Sequence, residues 1–155
     1  MYKVIVVGTD GSERAGKAVN EALALASMTG AVLRGVHVMR PVLTMGTEVD
    51  ALALAESQTN RHDESDRISA EFLAAAKRRG VSAEIDTFDG DPADALISVA
   101  EASGADLLVV GNRGMAGLRR FVLGSVPNKV AHRSPCSLLI VDTDRTVGVD
   151  DADGA

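Results

Sequence analysis

Aromatic residues and cysteine are scarce in this chain. Its 155 residues include no tryptophan, aromatic residues make up 3%, and Cys136 is the single cysteine. One cysteine excludes an intramolecular disulfide, a Cys-x-x-Cys redox pair and a multi-cysteine zinc site. Proteins that bind single-stranded nucleic acid stack the bases on aromatic side chains, so the composition argues against that function.

Long apolar runs are missing as well, and we expect no leader segment. No stretch approaches the roughly 18 apolar residues of a membrane span, and residues 1–8 are too short for a signal sequence and lack its cleavage site. We therefore expect a cytoplasmic protein that does not enter membranes. Hydrophobic residues make up 46% and charged residues 25%, which is typical of one folded soluble domain.

Negative charge predominates, but it is distributed unevenly. The 16 basic and 22 acidic residues give a net charge of −6, which disfavours binding to nucleic acid. Residues 107–141 contain no acidic residue, and their basic residues are Arg113, Arg119, Arg120, Lys129 and Arg133. This basic segment suggests a site for a small anion, and a solvated, positively charged surface is the equal alternative.

Short apolar runs alternate with helical patterns along the chain. The apolar runs predict five strands, at residues 4–7, 31–39, 81–87, 107–110 and 137–141. The spacing of apolar residues predicts helices between them, from Ser12 to about residue 28 and over residues 62–79, 92–104 and 124–132. In the second helix we expect Ile68, Phe72, Leu73 and Ala76 to face the core. We expect residues 41–60 to form a mobile connection.

Strands that alternate with helices require a parallel sheet, because parallel strands are joined by crossover connections. The sequence therefore predicts a single-domain, Rossmann-like α/β fold with helices on both faces of a five-stranded sheet. This domain spans residues 1–142, and a flexible acidic tail is expected at 143–155. Ligands of such folds bind at the carboxyl ends of the strands, at the topological switch point.

Two glycine motifs of nucleotide-binding proteins are incomplete near the N-terminus. The segment after the first strand, residues 8–13, lacks the G-x-G-x-x-G spacing of nicotinamide and flavin sites. Residues 11–18 match G-x-x-x-x-G-K, but Ala18 replaces the hydroxyl residue that would hold a magnesium ion. The helical pattern also begins at Ala15, so we expect Lys17 inside a helix, where a phosphate-binding loop does not form.

A third glycine motif lies in the basic segment. Gly111 and Gly114 precede Gly124 and Ser125 with the spacing G-x2-G-x9-G-S. Gly111 follows a buried strand, and Gly124-Ser125 opens a helix, whose N-terminal N–H groups and dipole bind phosphate. Phosphate binding is the favoured interpretation, and the alternative is a pair of tight turns with an ordinary serine cap.

Residues 109–114 (Val-Val-Gly-Asn-Arg-Gly) and 124–126 (Gly-Ser-Val) resemble the nucleotide-binding signature of the universal stress proteins. Residues 4–12 and 130–141 resemble the beginning and end of the same family's domain. The resemblance implies strand order 3-2-1-4-5, a homodimer and the binding of ATP, with cyclic AMP as the ligand of some related proteins.

The resemblance also implies a set of nucleotide-binding residues. It places Asp10 on the ribose or adenine, although Asp10 is equally suited to a structural Asx-turn. It places Val38 against the adenine. The remaining implied residues contact the ribose and phosphates or flank those that do: Thr9, Val110, Gly111, Arg113, Gly114, Gly124, Ser125 and Val126.

Pro127 departs from the family pattern, in which a hydroxyl residue is common at this position. Proline has no N–H, so one phosphate contact is lost. The departure makes AMP or cyclic AMP a stronger alternative to ATP, and Mg²⁺ would bind through the phosphates.

No set of residues for catalysis is evident. The G-x-S-x-G and H-E-x-x-H motifs are absent, and we assign no catalytic or metal-binding residue. We expect a nucleotide-binding regulator of the stress response, with an unknown downstream partner. The alternatives are a slow ATPase or self-phosphorylating protein, and a dimeric scaffold with a structural glycine motif. The apolar, uncharged strand at residues 137–141 predicts that the homodimer forms through it.

Overall fold

The computed structural model describes residues 1–41, 50–112 and 122–144, in which strands and helices alternate as predicted. The strands are β1 (Val4–Thr9), β2 (Val32–Val38), β3 (Ala83–Phe88), β4 (Leu107–Gly111) and β5 (Ser137–Val141). The helices are α1 (Glu13–Thr29), α2 (Ala51–Arg78), α3 (Pro92–Ser103) and α4 (Ser125–Arg133). No helix in these three ranges combines the length and the apolar character needed to cross a membrane.

All five strands are parallel and lie in the order β3-β2-β1-β4-β5. The chain moves from β1 to β3 in one direction and then crosses back to β4 and β5, so right-handed connections place α1 and α2 on one face and α3 and α4 on the other. The topological switch point therefore lies between β1 and β4. The predicted single-domain α/β fold and its strand order are confirmed.

Each face of the sheet has its own hydrophobic core because successive strand residues point to opposite faces. In β1, Ile5 and Val7 pack with α1 and α2, whereas Val6 packs with α3 and α4. All three side chains are completely buried. The central strand therefore carries apolar residues at consecutive positions, which is the pattern that predicted a parallel sheet.

Helix α1 begins and ends at the residues that the sequence indicated. The Ser12 hydroxyl accepts a hydrogen bond from Ala15 N–H at 3.1 Å, which caps the N-terminus. Gly30 ends the helix with a φ of 73°, a conformation that glycine adopts without steric cost. Lys17 lies inside this helix, as expected.

Helix α2 differs from the prediction, since residues 51–60 are helical rather than part of a mobile connection. The Asp50 side chain caps the helix by accepting from Leu52 N–H at 3.2 Å, and the alanine and leucine residues that follow have high helix propensity. Within 51–60 every residue except Leu54 is exposed. This part of the helix has no buried face, so its sequence lacks the helical spacing of apolar residues on which the prediction relied. Residues 42–49 lie outside the described residues.

The core face of α2 is otherwise the predicted one, with one exception. Ile68, Phe72 and Ala76 are buried, but Leu73 is 42% exposed. Leu73 directly follows Phe72, and adjacent helix positions point about 100° apart. The prediction that Leu73 faces the core is therefore wrong.

The chain after β5 is described as far as Asp144. Thr143, the first residue of the tail predicted at 143–155, is 2% exposed. Its N–H and hydroxyl both donate to the side chain of Asn112. Residues 145–155 lie outside the described residues.

Asp106 joins the beginning of β1 to the beginning of β4. Its Oδ2 accepts hydrogen bonds from Val4 N–H at 2.9 Å and Lys3 N–H at 2.7 Å. These N–H groups, Val4 first, stabilise the charged carboxylate and hold the pKa of Asp106 below its ordinary value of 3.8.

A depressed pKa in the folded state makes the contribution of Asp106 to stability pH-dependent. The contribution is fully present above pH 3.8 and is lost as the pH falls through the lower pKa of the folded protein. We therefore expect Asp106→Ala to lower the free energy of unfolding at neutral pH, with the difference from wild type shrinking in acid. Urea unfolding at both pH values measures this difference, and Asp66→Ala on the exposed side of α2 is the control. An equal difference at neutral and acidic pH would contradict the assignment.

Candidate functional site

A cavity opens at the carboxyl ends of β1, β2 and β4, at the topological switch point. Its walls also include the N-terminal turns of α1, α3 and α4. The cavity has a volume of about 150 Å³, whereas sites for drug-sized ligands span about 300–1,000 Å³. It therefore has room for one ring system. The rest of a larger ligand would lie outside the cavity, across the carboxyl ends of the strands.

One part of the cavity is apolar. Val36 and Val38 of β2 and Val110 of β4 point to the α3 and α4 face of the sheet. Further apolar surface comes from α3 and α4, through Pro92, Leu96, Val126 and Pro127. A flat aromatic ring is the kind of group that such a surface binds.

Gly8 allows α3 to pack closely against the end of β1. A Cβ atom at this position would lie 3.2 Å from two side-chain carbons of Leu96. The glycine after the first strand therefore keeps the cavity narrow, and a larger residue would push Leu96 into the space.

The turn between β1 and α1 forms the polar side of the cavity. Asp10 Oδ1 accepts from Ser12 N–H at 2.9 Å, which is an Asx-turn, and Thr9 Oγ1 accepts from Gly11 N–H at 3.2 Å. Gly11 has a φ of +77°, and a Cβ there would lie 2.7 Å from Ile68. Asp10 lines the cavity while using one carboxylate oxygen in the turn. Because the turn uses Oδ1, the second oxygen, Oδ2, can still contact a ligand. Asp10 can therefore form the Asx-turn and bind a nucleotide at the same time.

His37 fixes the main chain beside this turn. The residue is 5% exposed, and its Nδ1 lies 3.0 Å from the Thr9 carbonyl oxygen. A carbonyl oxygen only accepts, so Nδ1 carries the proton and donates. His37 is therefore a buried strand histidine that supports the end of β1.

The N-terminus of α4 presents a small set of backbone donors at the cavity. Four N–H groups at a helix start have no partner within the helix. Here Gly124 N–H donates to the Asn112 carbonyl at 2.9 Å, and Pro127 has no N–H. Among the described residues the N–H groups of Ser125 and Val126 have no hydrogen-bond partner, and Val126 lines the cavity. This end of α4 can therefore offer two main-chain hydrogen bonds to an anion.

Gly124 is the N-cap of α4, and no side chain in the described part of the chain caps this helix. Ser125 is the first helical residue and is exposed. The alternative of an ordinary serine cap is therefore wrong. The helix begins at Ser125, so the serine hydroxyl lies one position after the cap, and the Asn112 carbonyl accepts from the N–H of the cap residue Gly124.

Two cations of the basic segment face α3 rather than the cavity. Lys129 Nζ lies 3.2 Å from Asp91 Oδ1 and 3.3 Å from Asp94 Oδ1, and Arg133 lies 2.7 Å from Asp94 Oδ1. The hydrogen bond to Asp91, followed by the one to Asp94, raises the pKa of Lys129. No basic side chain is among the described residues that line the cavity. Attraction of an anion by these residues therefore depends on the helix dipole and the N–H groups.

The structure brings most of the residues predicted for the site to this cavity. Thr9, Asp10, Val38, Val110, Gly111 and Val126 line it. Gly124 and Ser125 lie at the start of α4, directly before Val126. Arg113 and Gly114 lie outside the described residues.

Several lining residues were missed by sequence reasoning. The sequence does contain a signal for Val36, because this residue lies two positions before Val38 in a strand and therefore points to the same face of the sheet. Pro127, which the sequence indicated only as a lost N–H donor, also lines the cavity. The others are Gly8, Ser12, Ala15, Pro92 and Leu96, and no motif in the sequence indicates that the helix of residues 92–103 reaches this strand end.

Comparisons with known proteins identify relatives over nearly the whole chain. The family model described as "Universal stress protein family" matches residues 1–142. The universal stress protein YxiE of Bacillus subtilis is 32% identical over 147 residues, covering 91% of this chain and 99% of that protein.

Solved structures of similar shape agree with these matches. A universal stress protein crystallised in complex with cAMP is 34% identical, with a TM-score of 0.69, covering 92% of this chain and 98% of its own. The protein MJ0577, 24% identical with a TM-score of 0.78, shares the fold over 95% of this chain and 99% of its own.

Proposed function

The chain belongs to the universal stress protein family, and we propose that it binds an adenine nucleotide in the cavity at the switch point. The observation that carries the proposal is that an apolar cavity of ring size lies beside two N–H donors at the N-terminus of α4, where the strands have their carboxyl ends. The complex of a 34% identical relative with cAMP supports it.

In the proposed complex the adenine lies in the apolar part of the cavity. Val36 and Val38 contact one side of the ring, and Val126 approaches it from α4. Asp10 lies at the open side, where Oδ2 can accept a hydrogen bond from a ribose hydroxyl. Gly111 allows the ribose to pass close to the main chain at the end of β4.

The phosphate is proposed to bind at the start of α4. The N–H groups of Ser125 and Val126 donate to its oxygens, and the helix dipole stabilises its negative charge. Pro127 removes a third N–H donor. Two main-chain donors suit one phosphate group, so we propose AMP or cyclic AMP as the preferred ligand, with ATP, and Mg²⁺ held by its phosphates, as the weaker one. Arg113 and Gly114 remain proposed contacts of the ribose and phosphates.

We further propose that the protein acts as a homodimer in regulating the stress response, and that the dimer forms through β5. The two edges of the sheet differ in charge. At the β3 edge, Glu84 and Asp86 form ion pairs with Arg34 at 3.1 and 2.9 Å, and such charges discourage pairing with another sheet. The β5 edge, Ser137–Val141, has no charged residue.

Calorimetric titration of nucleotide-free protein tests the proposed ligand. We expect AMP and cyclic AMP to bind with a Kd of about 1 µM, roughly −8 kcal/mol, and ATP to bind more weakly. GMP is the control, because it has the same phosphate and a different base. Absence of both heat and a thermal shift with all three adenine nucleotides would overturn the proposed function.

A further inference from the structure

Asn112 connects three segments at the carboxyl edge of the sheet. Its N–H donates to the Val141 carbonyl and its own carbonyl accepts from Gly124 N–H, both at 2.9 Å. Its side-chain Oδ1 accepts from Thr143 N–H at 3.1 Å and from the Thr143 hydroxyl at 2.7 Å. The second residue of the glycine motif therefore holds both the N-cap of α4 and the chain that leaves β5.

Thr143 is in turn attached to the opposite wall of the cavity. Its carbonyl accepts from Lys17 Nζ at 2.8 Å, and the following residue, Asp144, lies 3.9 Å from Arg14. Both cations belong to the first turns of α1, whose residue Ala15 lines the cavity. The lysine of the incomplete phosphate-loop motif thus contacts the chain after β5.

The partners of Thr143 are enclosed. Thr143 is 2% exposed, so water cannot readily replace Asn112 as the hydrogen-bond partner of its hydroxyl. Loss of its bond to Asn112 would leave Oδ1 with fewer donors in a partly buried place, which is unfavourable. The side chain of Asn112 is therefore held in one orientation as long as residues 142–144 stay in place.

We propose that Asn112 and Thr143 form a latch that positions the phosphate-binding end of α4. Asn112 is a positioning residue. Its carbonyl accepts the hydrogen bond from Gly124 N–H and thereby orients the N–H groups of Ser125 and Val126 toward the ligand. Release of Thr143 would free Asn112 and loosen the N-cap. The inference rests on the proposed function, because it concerns the affinity of the same site for phosphate.

Coupling between the latch and the ligand is reciprocal by thermodynamic linkage. If the latch strengthens phosphate binding, phosphate binding must strengthen the latch by the same factor. The position of the chain after β5 then depends on whether a nucleotide is bound. A merely structural role of Thr143 would change stability and leave this dependence absent.

Two variants of Thr143 separate these roles. Thr143→Val removes the hydroxyl donor at nearly constant volume, and Thr143→Ser keeps it. We expect Thr143→Val to weaken AMP binding roughly three- to tenfold, the effect of about one hydrogen bond. Adenosine, which lacks the phosphate, should bind unchanged, and Thr143→Ser should restore the affinity for AMP. Calorimetry with AMP and adenosine provides both measurements.

Hydrogen exchange on the wild-type protein provides a test that needs no variant. AMP should slow exchange of the Thr143 N–H, which donates to Asn112, and adenosine should not. The latch alone would be overturned if Thr143→Val and wild type bound AMP with equal affinity. It would also be overturned if AMP left the exchange rate of the Thr143 N–H unchanged. Failure of wild type to bind AMP would overturn the proposed function together with the latch, so the two failures are distinguishable.

Discussion

Ser125→Glu should weaken AMP binding strongly and leave the fold intact. Ser125 is exposed at the first position of α4, where an acidic residue stabilises a helix by about 0.3–1 kcal/mol. The same carboxylate would lie beside the proposed phosphate. Two like charges about 4 Å apart repel by roughly 1–4 kcal/mol between aqueous and protein-surface dielectrics. The affinity for AMP should therefore fall by roughly five- to a thousandfold.

Two controls isolate the charge effect. Ser125→Gln has nearly the size of glutamate without its charge, so it should bind AMP much more tightly than Ser125→Glu. Adenosine should bind both variants equally, because the base and the ribose are unaffected. Calorimetry gives the affinities, and thermal unfolding shows whether each variant is folded. Equal AMP affinity for the two variants would mean that the phosphate does not lie at the start of α4.

Leu139→Lys should convert the proposed dimer into a monomer. Leu139 is the middle residue of β5, the uncharged edge strand. In a two-fold arrangement of identical edges, each lysine would bring a positive charge into an apolar contact with its own copy. Desolvating such charges is unfavourable by several kcal/mol. Since about 1.4 kcal/mol weakens association tenfold, a dimer that forms at micromolar concentration should dissociate.

Sedimentation of wild type and variant at micromolar concentration measures the effect. Leu139 also packs partly against the core beside α1, so Leu139→Met, which keeps the apolar volume, is the matched control and should remain dimeric. Circular dichroism establishes whether the lysine variant is folded. A wild-type protein that sediments as a monomer would contradict the dimer regardless of how the variants behave.

Much of the fold was predictable because local signals and the core agree. Ser12, Gly30 and Gly104 mark helix ends in the sequence and do so in the structure. Consecutive apolar residues in β1 and β4 predicted a sheet covered on both faces. The first turns of α2 were not predictable from periodicity, since the helix there is exposed and is specified by the Asp50 cap and by propensity alone.

The site was predictable where it follows the ends of strands. Asp10, Val38 and Gly111 come from such ends, and the expected order of the strands placed them together. The contribution of α3 was not predictable, because Leu96 lines the cavity and packs against Gly8 through tertiary contacts that no local pattern indicates. The bond between Asn112 and Thr143 is likewise a tertiary contact between two polar residues that no spacing rule connects.

Amide resonances recorded while AMP is added to nucleotide-free protein show both whether the nucleotide binds and where it binds. Saturable shifts are expected at the described residues of the site, including Asp10, Val38 and Gly111. The amide of Ser125 should shift with AMP and stay nearly unchanged with adenosine. The amide of Val126, which also lies near the ring, should shift with both ligands and more with AMP. The amide of Glu84, near the start of the edge strand β3, should not shift with either. Absence of saturable shifts at millimolar AMP, or shifts centred away from the switch point, would mean that this cavity is not the nucleotide site.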